Sequence, residues 1–239
     1  MALKCSKTAL LGGLFAGAAM LVAGCGGAQK AEADEQSQAQ AIGSGEASAP
    51  AETVVPVPQE DPRVVYAEVQ TNMGTIVLAL DKENAPISTA NFVSYAEKRA
   101  YDDTIFHRVI SDFMIQGGGL EVDLDKRASD APIKNEWQNG LKNTRGSIAM
   151  ARLGNEPDSA TSQFFINVRD NDFLDTPRDG AGYAVFGRVV DGMAVVDAIR
   201  NVPVRSRAGL ENVPVDPVII EAVRVLDAAA AAKYAESAS

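Results

Sequence analysis

Phe106-His107-Arg108-Val109-Ile110, followed after Ser111-Asp112 by Phe113-Met114-Ile115-Gln116-Gly117-Gly118-Gly119, is the densest stretch of this chain. It reads as two short strands joined by a tight turn. Period-two alternation sets Phe106, Arg108 and Ile110 on one face and His107 and Val109 on the other. An arginine among apolar neighbours is costly unless its guanidinium is satisfied. Gln116, on the adjacent segment, offers an amide oxygen for it. Phe113 and Met114 then form an apolar pocket beside the cation. A second segment repeats the pattern: Ala149-Met150-Ala151-Arg152, then Ser162-Gln163-Phe164-Phe165-Ile166, again with a polar residue beside aromatics. On pattern alone the same aromatics read equally well as core, with Arg108 a structural pair-former. The three glycines lack the helix with Lys-Ser/Thr that a phosphate loop requires, and a tight turn with positive φ accounts for them better.

Outward from this stretch the pattern stays mostly β. Val64–Val69 and Thr75–Leu80 flank the turn Asn72-Met73-Gly74 and predict a hairpin. Pro86 suits a helix's first turn, and the helix runs to about Lys98 with Phe92 and Ala96 on one face. Strands are expected at 104–110, 114–117, 147–152, 163–168, 184–190 and 218–225, with a second helix at 193–200. Eight short strands and two helices predict a mainly β fold: a closed eight-stranded antiparallel barrel capped by two α-helices. The stretches 120–146 and 201–217 are expected to be long irregular loops that wall a site. The Ala-rich tail, 227–239, is expected to form a frayed helix.

The chain has 239 residues, a formal charge of −10, one histidine (His107) and two cysteines (Cys5 and Cys25). A zinc site of the His/Cys type needs more ligands than this, so no metal and no cofactor is expected. The acidic balance, 32 Asp+Glu against 22 Lys+Arg, argues against nucleic acid. Residues 1–24 read as a secretory signal: Lys4 and Lys7 precede a run, Thr8 to Ala23, that is shorter than the roughly 20 residues of a membrane span. Leu21-Val22-Ala23-Gly24-Cys25 resembles the bacterial lipobox, which implies a mature chain that starts at Cys25 and carries lipid there, palmitate among the acyl groups. Residues 25–62 read as a disordered acidic and Pro-rich tether, too poor in large apolar residues to offset the entropy of ordering. The folded unit is expected over 63–226.

The motifs at 106–118 and 162–166, with Asn143-Thr144-Arg145-Gly146 and Tyr183-Ala184-Val185-Phe186-Gly187, resemble the cyclophilin-type peptidyl-prolyl cis-trans isomerases, most closely the bacterial periplasmic branch. The resemblance spans the whole folded unit. It implies Arg108 as the catalytic arginine, oriented by Gln116. It implies a proline pocket walled by Phe113, Met114, Phe164 and Leu174, with Ala151 and Gln163 bordering the bound peptide backbone. Three further substrate-binding positions depart from the eukaryotic pattern: Arg152 stands for an asparagine, Phe173 for a tryptophan and Tyr183 for a histidine. Bacterial members often share these changes, and the loss of the tryptophan counts against strong cyclosporin binding. The implied partners are proline-containing segments of unfolded proteins. The implied place is a cell envelope, with a monomer anchored to a membrane and facing the periplasm or exterior. His107 is expected to be structural, turned away from Arg108. A lipid-anchored peptide-binding module without turnover is the alternative, against which the pairing of Arg108 with Gln116 speaks.

Overall fold

The computed structural model describes residues 61–176 and 180–238. The expected signal segment, Cys25 and the tether up to residue 60 lie outside them. Among the described residues the strands are β1 (Val64–Thr71), β2 (Gly74–Asp81), β3 (Thr104–Ile110), β4 (Met114–Gly117), β5 (Ser147–Met150), β6 (Phe164–Asn167), β7 (Val185–Asp191), β8 (Val204–Arg207), β9 (Leu210–Pro214) and β10 (Ile219–Val225). Three helices accompany them: α1 (Pro86–Glu97), α2 (Met193–Arg200) and α3 (Ala228–Ala238). Eight strands close into an antiparallel barrel in the order β1-β10-β3-β4-β6-β5-β7-β2. The predicted strands are present, each within one or two residues of its expected ends.

Alternation decides what fills the barrel. In the β1–β2 hairpin, paired from Val64↔Asp81 to Thr71↔Gly74, Ala67 and Val69 share the core with Ile76, Leu78 and Leu80, while Tyr66 belongs to a separate cluster with Ala79. The long side chains of Phe92, Phe106, Phe164 and Phe186 are fully buried in the same core. Burial of each such ring contributes about 1.5–3 kcal/mol.

Helix α1 delivers Phe92 to this core, and its start is capped from far away in sequence. Pro86 occupies the first turn, but Ala85 offers no side-chain cap. Glu136, in the irregular stretch 120–146, instead accepts hydrogen bonds from the Ile87 and Ser88 amides at 3.0 and 2.7 Å, and from the Ser88 hydroxyl at 2.7 Å. A carboxylate there satisfies orphan amides and complements the positive end of the helix dipole.

Three features depart from the sequence-based expectation. The stretch 201–217 is not an irregular loop: β8 and β9 form a separate two-stranded sheet. It turns at Ala208-Gly209, both with positive φ (52° and 81°), the geometry of a tight hairpin turn. The C-terminal stretch forms the helix expected of it, but as a docked one: it packs on the outside of the barrel through Ala231 and through Tyr234, whose ring stacks on Tyr66 with centroids 6.5 Å apart. The third departure is a β-bulge in β3. Phe106 pairs with Gly117 and Arg108 with Gln116, leaving His107 without a partner on β4.

Candidate functional site

The bulge reorders the faces of β3. Phe106 and Val109 both point into the barrel core, whereas Ile110 packs with the cluster on the outer wall. The expected grouping of Phe106 with Arg108 and Ile110 is therefore corrected, because the extra residue of a bulge breaks the period of two. Arg108 stands half-buried, directly opposite Gln116. Its Nη1 donates to the Gln116 side-chain oxygen at 3.4 Å, and Gln116 Nε2 donates in turn to the side-chain oxygen of Gln163 at 2.9 Å.

His107 is not turned away from this chain of polar groups. It is buried, with 6% exposure, beside the Gln163 side chain and the Ile105 main chain. Burial, with the charge of Arg108 adding to it, lowers its pKa from 6.5 to about 4, against the raising effect of Ile105 and Gln163. Its Nδ1 has no hydrogen-bond partner. The ring is neutral at physiological pH and lies against the polar chain that ends at Arg108.

An apolar cluster adjoins the guanidinium on the outer wall. Met114, Ala149, Phe165, Leu174 and Val185 are buried in it, and Phe113, Ala151, Tyr183 and Ile110 pack against it. Phe173 is 62% exposed and stacks on Phe113 with centroids 5.5 Å apart. Tyr183 meets Phe165 edge-on at 5.7 Å. Ala151 and Gln163 are joined by a main-chain hydrogen bond of 3.0 Å, which holds both at one edge of the cluster. Of the residues named from sequence, Arg108, Gln116, Phe113, Met114, Ala151, Gln163, Phe173, Leu174 and Tyr183 thus come together.

Two do not fit their expected places. Phe164 is in the barrel interior, edge-on to Phe92 and Tyr101 at 5.4 and 5.5 Å, and does not wall the pocket. Its neighbour Phe165 takes that position. The missed signal was alternation itself: with Gln163 facing outward, the residue two along faces the same way. Arg152 turns its guanidinium to the Ala181 and Gly182 carbonyls, not into the open space above the cluster.

The glycines also resolve differently from the single turn expected. Among Gly117–Gly119 only Gly118 has positive φ, +83°. Gly119 is needed for space, since a Cβ there would lie 2.4 Å from Cγ of Gln163. Close approach therefore lets Gln163 reach Gln116.

Beneath the cluster lies a buried amide network that sequence reading missed. Asn167 Nδ2 donates to Asn143 Oδ1 at 3.1 Å and to Ser147 Oγ at 2.9 Å, while Asn171 Nδ2 donates to Asn167 Oδ1 at 2.6 Å and to the Phe113 carbonyl at 2.9 Å. Asn143 donates from Nδ2 to Asp175 Oδ1 at 2.8 Å. The network ties the Phe113 loop to the 3-10 turn Asp172–Leu174, which carries Phe173 and Leu174. Asn167→Leu should destabilise the domain by about 2 kcal/mol, because the oxygen of Asn143 and one donor of Asn171 lose buried partners. Urea midpoints of the variant and wild type measure this; equal midpoints would show that the network contributes nothing.

A cation fixed by an amide at the rim of an apolar cleft suits a reaction in which a nitrogen lone pair develops beside a proline-sized ring. Comparison with known proteins points the same way. The family model for cyclophilin type peptidyl-prolyl cis-trans isomerase/CLD matches residues 66–225. A peptidyl-prolyl cis-trans isomerase of Acinetobacter baylyi is 57% identical over 158 residues, covering 66% of this chain and 84% of that protein. Peptidyl-prolyl cis-trans isomerase B of Escherichia coli K12 is 53% identical over 159 residues, covering 65% of this chain and 96% of that protein. A crystal structure of a Cryptosporidium parvum cyclophilin type peptidyl-prolyl cis-trans isomerase, in the presence of the dipeptide Ala-Pro, is similar with a TM-score of 0.57 at 26% identity, covering 68% of this chain and 99% of that one.

Proposed function

The chain belongs to the cyclophilin-type peptidyl-prolyl cis-trans isomerases, and from that premise we propose that Arg108 is its catalytic group, acting on Xaa-Pro bonds of extracytoplasmic proteins. The observation that carries this reading is the Arg108 guanidinium, held by Gln116 beside the Met114–Phe165–Leu174 cluster.

Rotation about an Xaa-Pro bond is slow because amide resonance gives the C–N bond double-bond character, with a barrier of about 20 kcal/mol. No covalent bond breaks, so the reaction needs neither a nucleophile nor a proton donor. In the twisted transition state the prolyl nitrogen turns pyramidal and regains its lone pair. A fixed guanidinium donates to that nitrogen more strongly there than in the planar ground state, and this difference is what accelerates rotation. Arginine suits the task because it stays charged and its planar fork leaves one donor for Gln116. Phe113, Met114, Phe165 and Leu174 grip the proline ring and exclude water, which favours the polar planar amide. The assay is cis-to-trans relaxation of an Xaa-Pro peptide with the domain 63–226. A folded domain that leaves the relaxation at its uncatalysed rate would refute the reading.

The site of action follows from the other end of the sequence. Lipid on Cys25 would hold the mature chain to a membrane, several acyl chains anchoring stably where one binds marginally, with residues 26–62 as the spacer. Cys25→Ser is expected to abolish acylation and to shift the protein out of the membrane fraction or leave it unprocessed. Mass spectrometry of the native mature protein is the check: an unmodified Cys25 ends the anchoring proposal and leaves the isomerase untouched.

A further inference from the structure

Tyr183 lies within residues 180–184, which have no regular secondary structure and lead into β7, yet its ring forms one edge of the apolar cluster. Something must hold that stretch to the barrel. Tyr183 donates its amide to the Leu174 carbonyl at 3.1 Å, and the Gly182 carbonyl accepts from Asn135 Nδ2 at 3.0 Å. The most extensive grip is that of Arg152. Its Nε donates to the Gly182 carbonyl at 3.2 Å, another guanidinium nitrogen donates to the Ala181 carbonyl, and Nη1 donates to the Leu153 carbonyl at 3.0 Å. The guanidinium carbon lies 4.6 Å from the centroid of the Tyr183 ring, within cation–π range. One planar group thus binds two successive carbonyls and the face of the residue that follows them. A lysine has neither the fork nor the flat face to do both.

We propose that Arg152 is a positioning residue for the isomerase: it clamps residues 181–183 and fixes the Tyr183 ring as a wall of the proline site, instead of contacting the substrate backbone. The inference rests on the reading of the Met114–Phe165–Leu174 cluster, with Tyr183 at its edge, as that site. Arg152 acts only through Tyr183, so its loss affects how well substrate is held and leaves the Arg108 donor in place.

The test is a double-mutant cycle with Arg152→Met and Tyr183→Ala, read as KM and kcat for an Xaa-Pro peptide. Arg152→Met is expected to raise KM about fivefold with kcat within about twofold, the pattern of lost uniform binding. It should also speed hydrogen exchange at the Tyr183 amide. In the Tyr183→Ala background the same change should add nothing, because residues that act through one group are not additive. KM increases that multiply in the double variant, or an unchanged KM in folded Arg152→Met, overturn the clamp. An unchanged KM in Tyr183→Ala alone overturns the wall assignment and the clamp with it. Should Arg152→Met fail to fold, Arg152→Lys takes its place in the cycle. It keeps stem and charge but lacks the fork, and a wild-type KM in that variant likewise overturns the proposal.

Discussion

Replacing Arg108 by alanine is expected to lower kcat/KM for an Xaa-Pro peptide by about 10²-fold, the scale of losing one transition-state donor. The loss should fall on kcat, since the donated hydrogen bond strengthens only as the amide twists. The fold should survive. Arg108 is half-buried on the outer wall, and after its removal Gln116 keeps its 2.9 Å bond to Gln163. Arg108→Lys should recover little, because an ammonium cannot face Gln116 and the prolyl nitrogen together. Relaxation kinetics with circular dichroism on the same samples measure both quantities. Equal rates for folded wild type and Arg108→Ala would remove the arginine from the mechanism.

The second large effect concerns acid. His107 has its pKa lowered from 6.5 to about 4, chiefly by burial and further by the Arg108 charge. As pH falls below 6.5 the unfolded chain takes up a proton that the folded chain refuses until about pH 4. Stability is therefore full above 6.5 and declines through that window, by about 2–3 kcal/mol between pH 7.5 and 4.5. The carboxylates of Asp102, Asp158 and Asp197 are also held below their ordinary value, each first by a side-chain hydrogen bond to Arg224, Lys134 and Arg145 respectively. Their contributions are lost only below about 3.8 and leave the window to the histidine. Urea unfolding at pH 7.5, 5.5 and 4.5 should show the decline in wild type and a much flatter profile in His107→Gln. Parallel profiles for the two proteins would disprove the assignment. Catalysis should show no step near 6.5, because the ring is already neutral there.

The barrel was legible because its strands carry their instructions locally. Val64–Val69, Thr75–Leu80 and Val218–Val225 are runs of β-branched and aliphatic residues between turn signals, and the pattern alone places them. The hairpin β8–β9 was illegible for the opposite reason. Val204, Arg205, Ser206 and Leu210 are all exposed, and Ala208 at positive φ replaces the Asn or Asp that announces such a turn.

At the site, residue types were legible and facings were not. Arg108 and Gln116 came from their chemistry, but the bulge at His107 depends on the pairing of Phe106 with Gly117 across strands, which no reading of β3 alone contains. The exchange of Phe164 for Phe165 arose because two adjacent phenylalanines satisfy the same apolar pattern in either register. The cap by Glu136 and the network of Asn143, Asn167 and Asn171 are long-range pairings, and their polar residues look like ordinary loop composition until the chain is folded.

Helix α3 has a practical corollary. It covers the outer faces of β1, β2 and β7 through Tyr66, Ala79 and Val190. Counting around the eight-strand circuit, β2 stands four places from β4, so the helix lies diametrically across the barrel from the strand that bears Gln116. The chain also enters β1 on that far wall, at Asp61. A dye, an affinity handle or a biosensor surface joined at helix α3 is thus separated from Arg108 and Gln116 by the barrel. Attachment through helix α3 is expected to leave the β4 wall, with Gln116 and the opposed Arg108, facing bulk solvent, an orientation suited to surface-based capture of proline peptides.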